Sequence, residues 1–284
     1  MELSITALMV FPTLVVLLSA SVFDWKYREI PDWHWAILFL MGIVLSAIDV
    51  IDSDLGLIGS LMPICIVLIA FDCLYDREPS ALTDVAIYIS IAITAMIPFF
   101  VIGGDVGKTF ISIPIIYAVM NVLYYTGIVK GGADAKSIIA ISTVFPTYPE
   151  ILGMPLIDVP SGIESQLFVP AFAVLTMALV LSLLYGVYNL IRNLIAGNTM
   201  LPQMVMGTVM PLEKAKKSKV WSMEDIVDGE PLIVASAIED EDVWRRLENY
   251  GKSEVWVTAI IPFLIPITAA FIILVTVGFP LFIL

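Results

Sequence analysis

Two carboxylates stand where long apolar runs meet short basic loops: Asp24 in FDWKYREIP and Asp134 in KGGADAKS. An ionisable group at membrane depth is costly, so its position is rarely accidental. Two carboxylates brought to one depth can share a proton and activate water, which is aspartic-protease chemistry. Gly131 and Gly132 remove side chains beside Asp134, so that another backbone can lie close. A bulky residue at Gly132 is therefore expected to harm the site sterically. Asp134 or Ser137 would equally serve as a helix cap, and Gly-Gly is an ordinary turn sequence. Taken alone, this segment leaves both readings open. Four residues after Asp24 comes Arg28, and Pro31 fixes the chain ahead of an aromatic-rich helix. Arg28 or Lys26 would stabilise an ionised carboxylate, or would simply obey the positive-inside bias.

The elements that must position these groups are membrane helices. Of the 284 residues, 60% are hydrophobic and only 14% charged, with a mean hydropathy of +0.97. A soluble chain of this length cannot hide so much apolar surface, so the expectation is an all-α polytopic membrane protein. The apolar run Ser4 to Phe23 has no basic stretch before it and no small-residue cleavage site after it. It reads as a retained helix rather than a signal peptide. The net charge of −13 sits mainly in loops and a C-terminal insert, and the acidic balance argues against nucleic acid as a partner. Cys65 and Cys73 form no C-x-x-C pair, and the chain has one histidine. Neither a metal site nor a cofactor is expected.

Windows of about 20 apolar residues fall near 4–23, 33–49, 55–71, 82–102, 109–129, 137–157, 166–191 and 255–284, giving about eight transmembrane segments. The sixth is interrupted by Pro146, Pro149 and Glu150 and reads as a short or broken helix. With all eight counted, every Lys and Arg except Lys108 falls on one side. The positive-inside rule makes that side cytoplasmic, with Asp24 and Asp134 both at cytoplasmic helix ends. The expected organisation is a helical bundle over 1–191 with both aspartates, a cytoplasmic soluble subdomain over 192–254, and a last transmembrane helix over 255–284.

In that subdomain, GNTMLPQMVMGTVMPLEKAKKSK reads as a loop with a basic patch. Its lysines suit anionic lipid headgroups and equally a solvated surface. PLIVASA reads as a short strand. EDEDVWRRLENYG reads as a helix closed by Gly251. Together they imply a small α+β fold.

The two aspartate segments together resemble the type IV prepilin peptidase family, most closely its archaeal preflagellin and prepilin peptidase branch. The first family motif is matched by Asp24, Arg28, Ile30 and Pro31, and the second by Gly131, Gly132, Ala133, Asp134, Ala135 and Lys136. VTAIIPFLIP resembles the entry to the last helix of the archaeal enzymes. The resemblance implies that Asp24 and Asp134 meet as a catalytic pair, with Arg28, Ile30, Pro31, Gly131, Gly132, Ala133 and Lys136 shaping the site. It implies a prepilin- or prearchaellin-like substrate with a short basic leader, cut at the cytoplasmic face of the cell membrane. Acidic loop residues such as Glu29, Asp76 and Glu78 would attract that leader, or simply be solvated. Three departures stand out. Asp32 occupies a position where many members carry Asn. A further helical hairpin separates the two aspartates. The cysteine-rich domain of the methylating bacterial relatives has no counterpart here, which implies cleavage without N-methylation.

Other readings compete. A presenilin-like protease would carry a Pro-Ala-Leu motif, and none occurs. A transporter would place paired carboxylates near the bilayer midplane and show internal repeats. A scaffold for a surface filament is a third possibility. GGDVGKT at 103–109 lacks P-loop spacing, and Asp105 within it lies on the face opposite Asp24. His34 in WHW reads as an anchor at headgroup level. Asp84 reads as an N-terminal helix acid, or else as a third site carboxylate. Asn121 and Tyr125 read as interhelical hydrogen bonders.

Overall fold

Inside a bilayer every backbone polar group must find its partner within the segment, and the apolar runs accordingly become helices. The computed structural model describes residues 5–78, 80–129, 131–151, 153–159, 168–259 and 262–283, with side-chain surroundings from residue 8 onward. The chain divides into two units, residues 1–178 with 262–284, and residues 179–261.

The first unit is a helical bundle of α1 (Ile5–Tyr27), α2 (Trp33–Asp52), α3 (Gly56–Gly59), α4 (Leu61–Leu74), α5 (Ala81–Val101), α6 (Gly104–Tyr125) and α7 (Gly132–Val144). The start of α8 (Pro170–Ala196) and all of α12 (Leu264–Thr276) complete it. Six helices among the described residues are long and apolar enough to cross a membrane, with α3 and α4 counted as one. The protein is thus a multi-pass membrane protein.

Two of the eight expected segments differ from full-length helices. α7 has 13 residues, about 20 Å at 1.5 Å per residue, and it stops at Phe145 instead of running through 137–157. Pro146 and Pro149 lack the N–H groups needed to continue it. The chain beyond it pairs with the end of α12, Leu156 and Ile157 donating N–H bonds of 3.2 and 2.9 Å to the Thr276 and Val277 carbonyls. The last segment is also shorter than 255–284. Residues Glu254–Ala259 are a strand, and the helix begins at Leu264.

Close approach at Gly42 sets α7 against α2. A side chain there would meet Thr143 Cβ at 2.6 Å, so only glycine allows the two backbones to come together. On the other flank α1 is tied to α12: the Ser21 and Thr268 hydroxyls lie 2.8 Å apart, and Ser21 also donates to the Leu264 carbonyl at 3.2 Å. Both carboxylate-bearing helices therefore have fixed backing.

The second unit contains α9 (Gln203–Met206), β1 (Thr208–Pro211), α10 (Leu212–Ala215), β2 (Val220–Val227), β3 (Glu230–Ile238), α11 (Val243–Asn249) and β4 (Glu254–Ala259). Its antiparallel sheet has the order β1-β4-β2-β3. The strand expected in PLIVASA is β3, and the expected helix is α11. The 208–215 stretch is β1 and α10 rather than a loop. β4 alternates as a strand must, Val255 and Val257 packing with Leu212, Val243 and Leu247 while Trp256 packs on Met204 and Met223. Buried Glu224 is fully engaged, accepting from Lys252 Nζ at 2.7 Å and the Trp256 N–H at 2.9 Å. Arg246 grips Asp225 through two bonds of 2.7 and 2.8 Å, and this holds the Asp225 carboxyl below the usual range.

Candidate active site

Asp24 sits on the last turn of α1 and Asp134 on the first turn of α7, both half-buried. The two helices pack together, and Asp24 is the ionisable neighbour whose charge reaches Asp134. Arg28 is the cation whose charge reaches Asp24. It closes α1 in the left-handed region at φ 60°, its N–H bonding the Asp24 carbonyl at 3.2 Å. A non-glycine residue pays roughly 1 kcal/mol there, so the turn is held by other contacts.

His34 packs beside this turn and is fully buried in the protein. Its Nδ1 lies 2.9 Å from the Pro31 carbonyl oxygen, which can only accept, so Nδ1 carries the proton. Nε2 then accepts from the Ser19 hydroxyl at 3.1 Å. The ring stacks on Trp33 at 3.6 Å and meets the edge of Phe23. A single imidazole thus brackets α1 to the Ile30–Pro31 turn, and Asp24 lies within that bracket.

At α7, the Gly131 carbonyl receives the Asp134 and Ala135 N–H groups at 3.1 and 3.2 Å, and the Ser137 hydroxyl donates to the Asp134 carbonyl at 2.7 Å. The two glycines differ in role. A Cβ on Gly131 would lie 2.9 Å from Asp134 Cγ and closer still to Oδ2, whereas one on Gly132 would find only the Tyr124 ring at 3.8 Å. The intimate approach to the carboxylate belongs to Gly131. Within the enzyme itself a Cβ at Gly132 meets no clash, so the expected harm of a bulky residue there rests on the substrate backbone.

Asp32 joins the two motifs. Lys136 Nζ donates to Asp32 Oδ1 at 2.7 Å, tying the start of α7 to the start of α2. Both groups are partly exposed, and such a pair contributes about 0.2–1 kcal/mol to stability. Its value is positional. Lys136→Asp alone should lower processing on the order of tenfold through misplacement of Asp134, and Asp32→Lys with Lys136→Asp should restore most of it. A double variant no better than the single one would show that the bridge does not position the site.

Beside these segments lies a polar cleft of about 820 Å³, whose lining includes Glu29, Ile30, Gly132, Ala133 and Lys136. Its far wall is an ion network that the sequence motifs did not reveal. Arg77 bonds Asp72 at 2.6 Å and Asp84 at 2.8 Å, and Tyr117 donates to Asp72 at 2.5 Å. Asp84 is therefore an ion-pair partner within this wall. Asp72 ends the apolar run of α4, as Asp24 ends that of α1, and that signal would have singled it out. Asp105 lines two other pockets, with Asp49 and Asp52 among their residues. Lys130 lies outside the described residues.

A multi-pass bundle with carboxylates on adjoining helix ends beside a polar cleft is the frame of a membrane peptidase, and comparison with known proteins bears out that class. Residues 199–279 match the family described as Archaeal Peptidase A24 C-terminus Type II. The chain is 23% identical over 267 residues to a preflagellin peptidase of Methanocaldococcus jannaschii, covering 92% of this chain and 90% of that protein. It is likewise 23% identical over 275 residues to a preflagellin peptidase of Methanococcus maripaludis, covering 92% and 91%. These likenesses, to an archaeal peptidase family model and to archaeal preflagellin peptidases, agree with the resemblance seen in the two aspartate segments.

Proposed function

We propose that this protein is a membrane aspartic endopeptidase that removes the short basic leader of preflagellin- or prepilin-like proteins at the cytoplasmic interface. The observation that supports this reading is that Asp24 and Asp134 stand on the ends of two packed helices, with the charge of Asp24 reaching Asp134. Two carboxylates brought within a few Å share one proton more readily than both ionise. The ionised carboxylate takes a proton from water as its oxygen attacks the scissile carbonyl carbon. The protonated carboxylate donates to the carbonyl oxygen. Collapse of the tetrahedral intermediate releases the amine of the mature chain, its nitrogen receiving a proton from the site.

Co-expression with a preflagellin-like substrate tests this reading. The expected product begins immediately after the leader and has an unmethylated amine by mass. An uncut substrate, or a methylated product, would overturn the corresponding part. Orientation is read by single cysteines in a background lacking Cys65 and Cys73. Tyr27→Cys and Ser218→Cys should resist an impermeant external thiol reagent, while Asp54→Cys and Leu156→Cys should label. Labelling at 218 but not at 156 would place the sixth segment entirely on one side.

A further inference from the structure

We propose that an apolar groove between α5 and α6 and the acidic cleft form one continuous substrate seat. The groove takes one face of an apolar membrane helix, and the cleft takes the cationic segment attached to it. This rests on the peptidase reading above and adds the surface that selects the substrate.

The groove measures about 470 Å³. Ala92, Ala95 and Ala118 help to line it, and small residues of this kind let another helix approach closely in lipid. Its lining runs into that of the cleft through Asn121 and Tyr125, which border both. Tyr117 joins the two as well. Its ring lines the groove, and its hydroxyl donates to Asp72 in the cleft at 2.5 Å. The cleft lining also includes Gly132 and Ala133, immediately ahead of Asp134. A chain leaving the groove through the cleft therefore passes the start of α7.

Charge decides the occupant. Glu29, Asp32, Asp72, Asp76 and Asp84 line the cleft against Arg77 and Lys136. Both cations already hold aspartates, Arg77 taking Asp72 and Asp84, and Lys136 taking Asp32. The surplus is negative. An acyl chain would fit the groove, but an anionic headgroup would then face the carboxylates of the cleft. A polypeptide whose apolar helix adjoins lysines or arginines satisfies both surfaces. α5 and α6, the walls of the groove, lie in the stretch of chain between the two aspartates.

Ala92 and Ala118 are exposed, so enlarging them fills the groove without entering the core. With full-length enzyme in lipid and a membrane-anchored preflagellin-like substrate, Ala118→Phe should raise KM about tenfold with kcat nearly unchanged, the pattern of lost substrate binding. Ile93→Phe, on α5 but outside the groove lining, should leave both constants as they are. A photo-crosslinking residue at position 118 in an Asp134→Asn background should capture the apolar segment of the substrate. An unchanged KM in Ala118→Phe, with adducts to lipid alone, would overturn the seat while leaving the peptidase intact. A wild-type enzyme that cuts no such substrate would instead remove the peptidase reading, and this inference with it.

Discussion

Asp24→Asn and Asp134→Asn should each reduce processing by about four orders of magnitude or more, with the protein still folded. Asparagine keeps the size and one acceptor oxygen of aspartate but cannot carry the exchanged proton. Either replacement leaves one carboxylate, which cannot both take a proton from water and give one to the carbonyl in the same step. The double variant should be no worse than the more severe single one, because the two groups act as one unit. Asp105→Asn should be as active as wild type, since Asp105 lines other pockets. Processing assays in membranes, paired with thermal unfolding, separate lost chemistry from lost fold. Near-normal turnover in either single variant would end the assignment of the pair.

How much of this was legible in the sequence depended on whether the signal was local. Asp24 and Asp134 stood out because a carboxylate that ends an apolar run is conspicuous in the chain itself. The short α7 was also legible, because Pro146 and Pro149 forbid its continuation. β4 was not. In a chain this apolar, EVWVTA running into IIPFLIP satisfies a hydropathy window as well as a strand does. Only the opposed packing of Val255 and Trp256 reveals the period of two. The Arg77 network escaped for a different reason. Its members come from α4, α5, α6 and the turn after α4, with Asp72 and Tyr117 separated by 45 positions, and no local pattern records such a meeting. The bracketing role of His34 was missed because tryptophans on either side look like an interfacial belt. The bonds to Ser19 and Pro31 that make it a bracket exist only after folding. Asp32 read as a departure from the family pattern, and its meaning is the pairing with Lys136 across the two motifs.

Gly131→Ala should lower processing by about two orders of magnitude, the scale of an error near 1 Å in a reacting group, while Gly132→Ala, which meets no clash in the enzyme itself, should lower it far less. Gly131 has φ −87° and ψ 116°, ordinary values for any residue, so an added methyl brings no backbone strain. The conflict is purely between the new Cβ and the Asp134 carboxylate, whose Cγ would lie 2.9 Å away. Two escapes exist. Asp134 can leave its rotamer at a cost of about 0.5–1.5 kcal/mol, or the first turn of α7 can shift against Gly131. Both are cheap for a bundle held elsewhere by the contact of Gly42 with Thr143, so melting temperature and expression should scarcely change. Both also displace the carboxylate proposed to meet Asp24 and a water. At Gly132 the nearest neighbour of a Cβ is the Tyr124 ring at 3.8 Å, ordinary contact that displaces nothing. Single-turnover rates for the two alanine variants, measured beside their unfolding curves, decide the matter. Equal rates would mean that Asp134 tolerates displacement, and a group that tolerates displacement is not the one performing the chemistry.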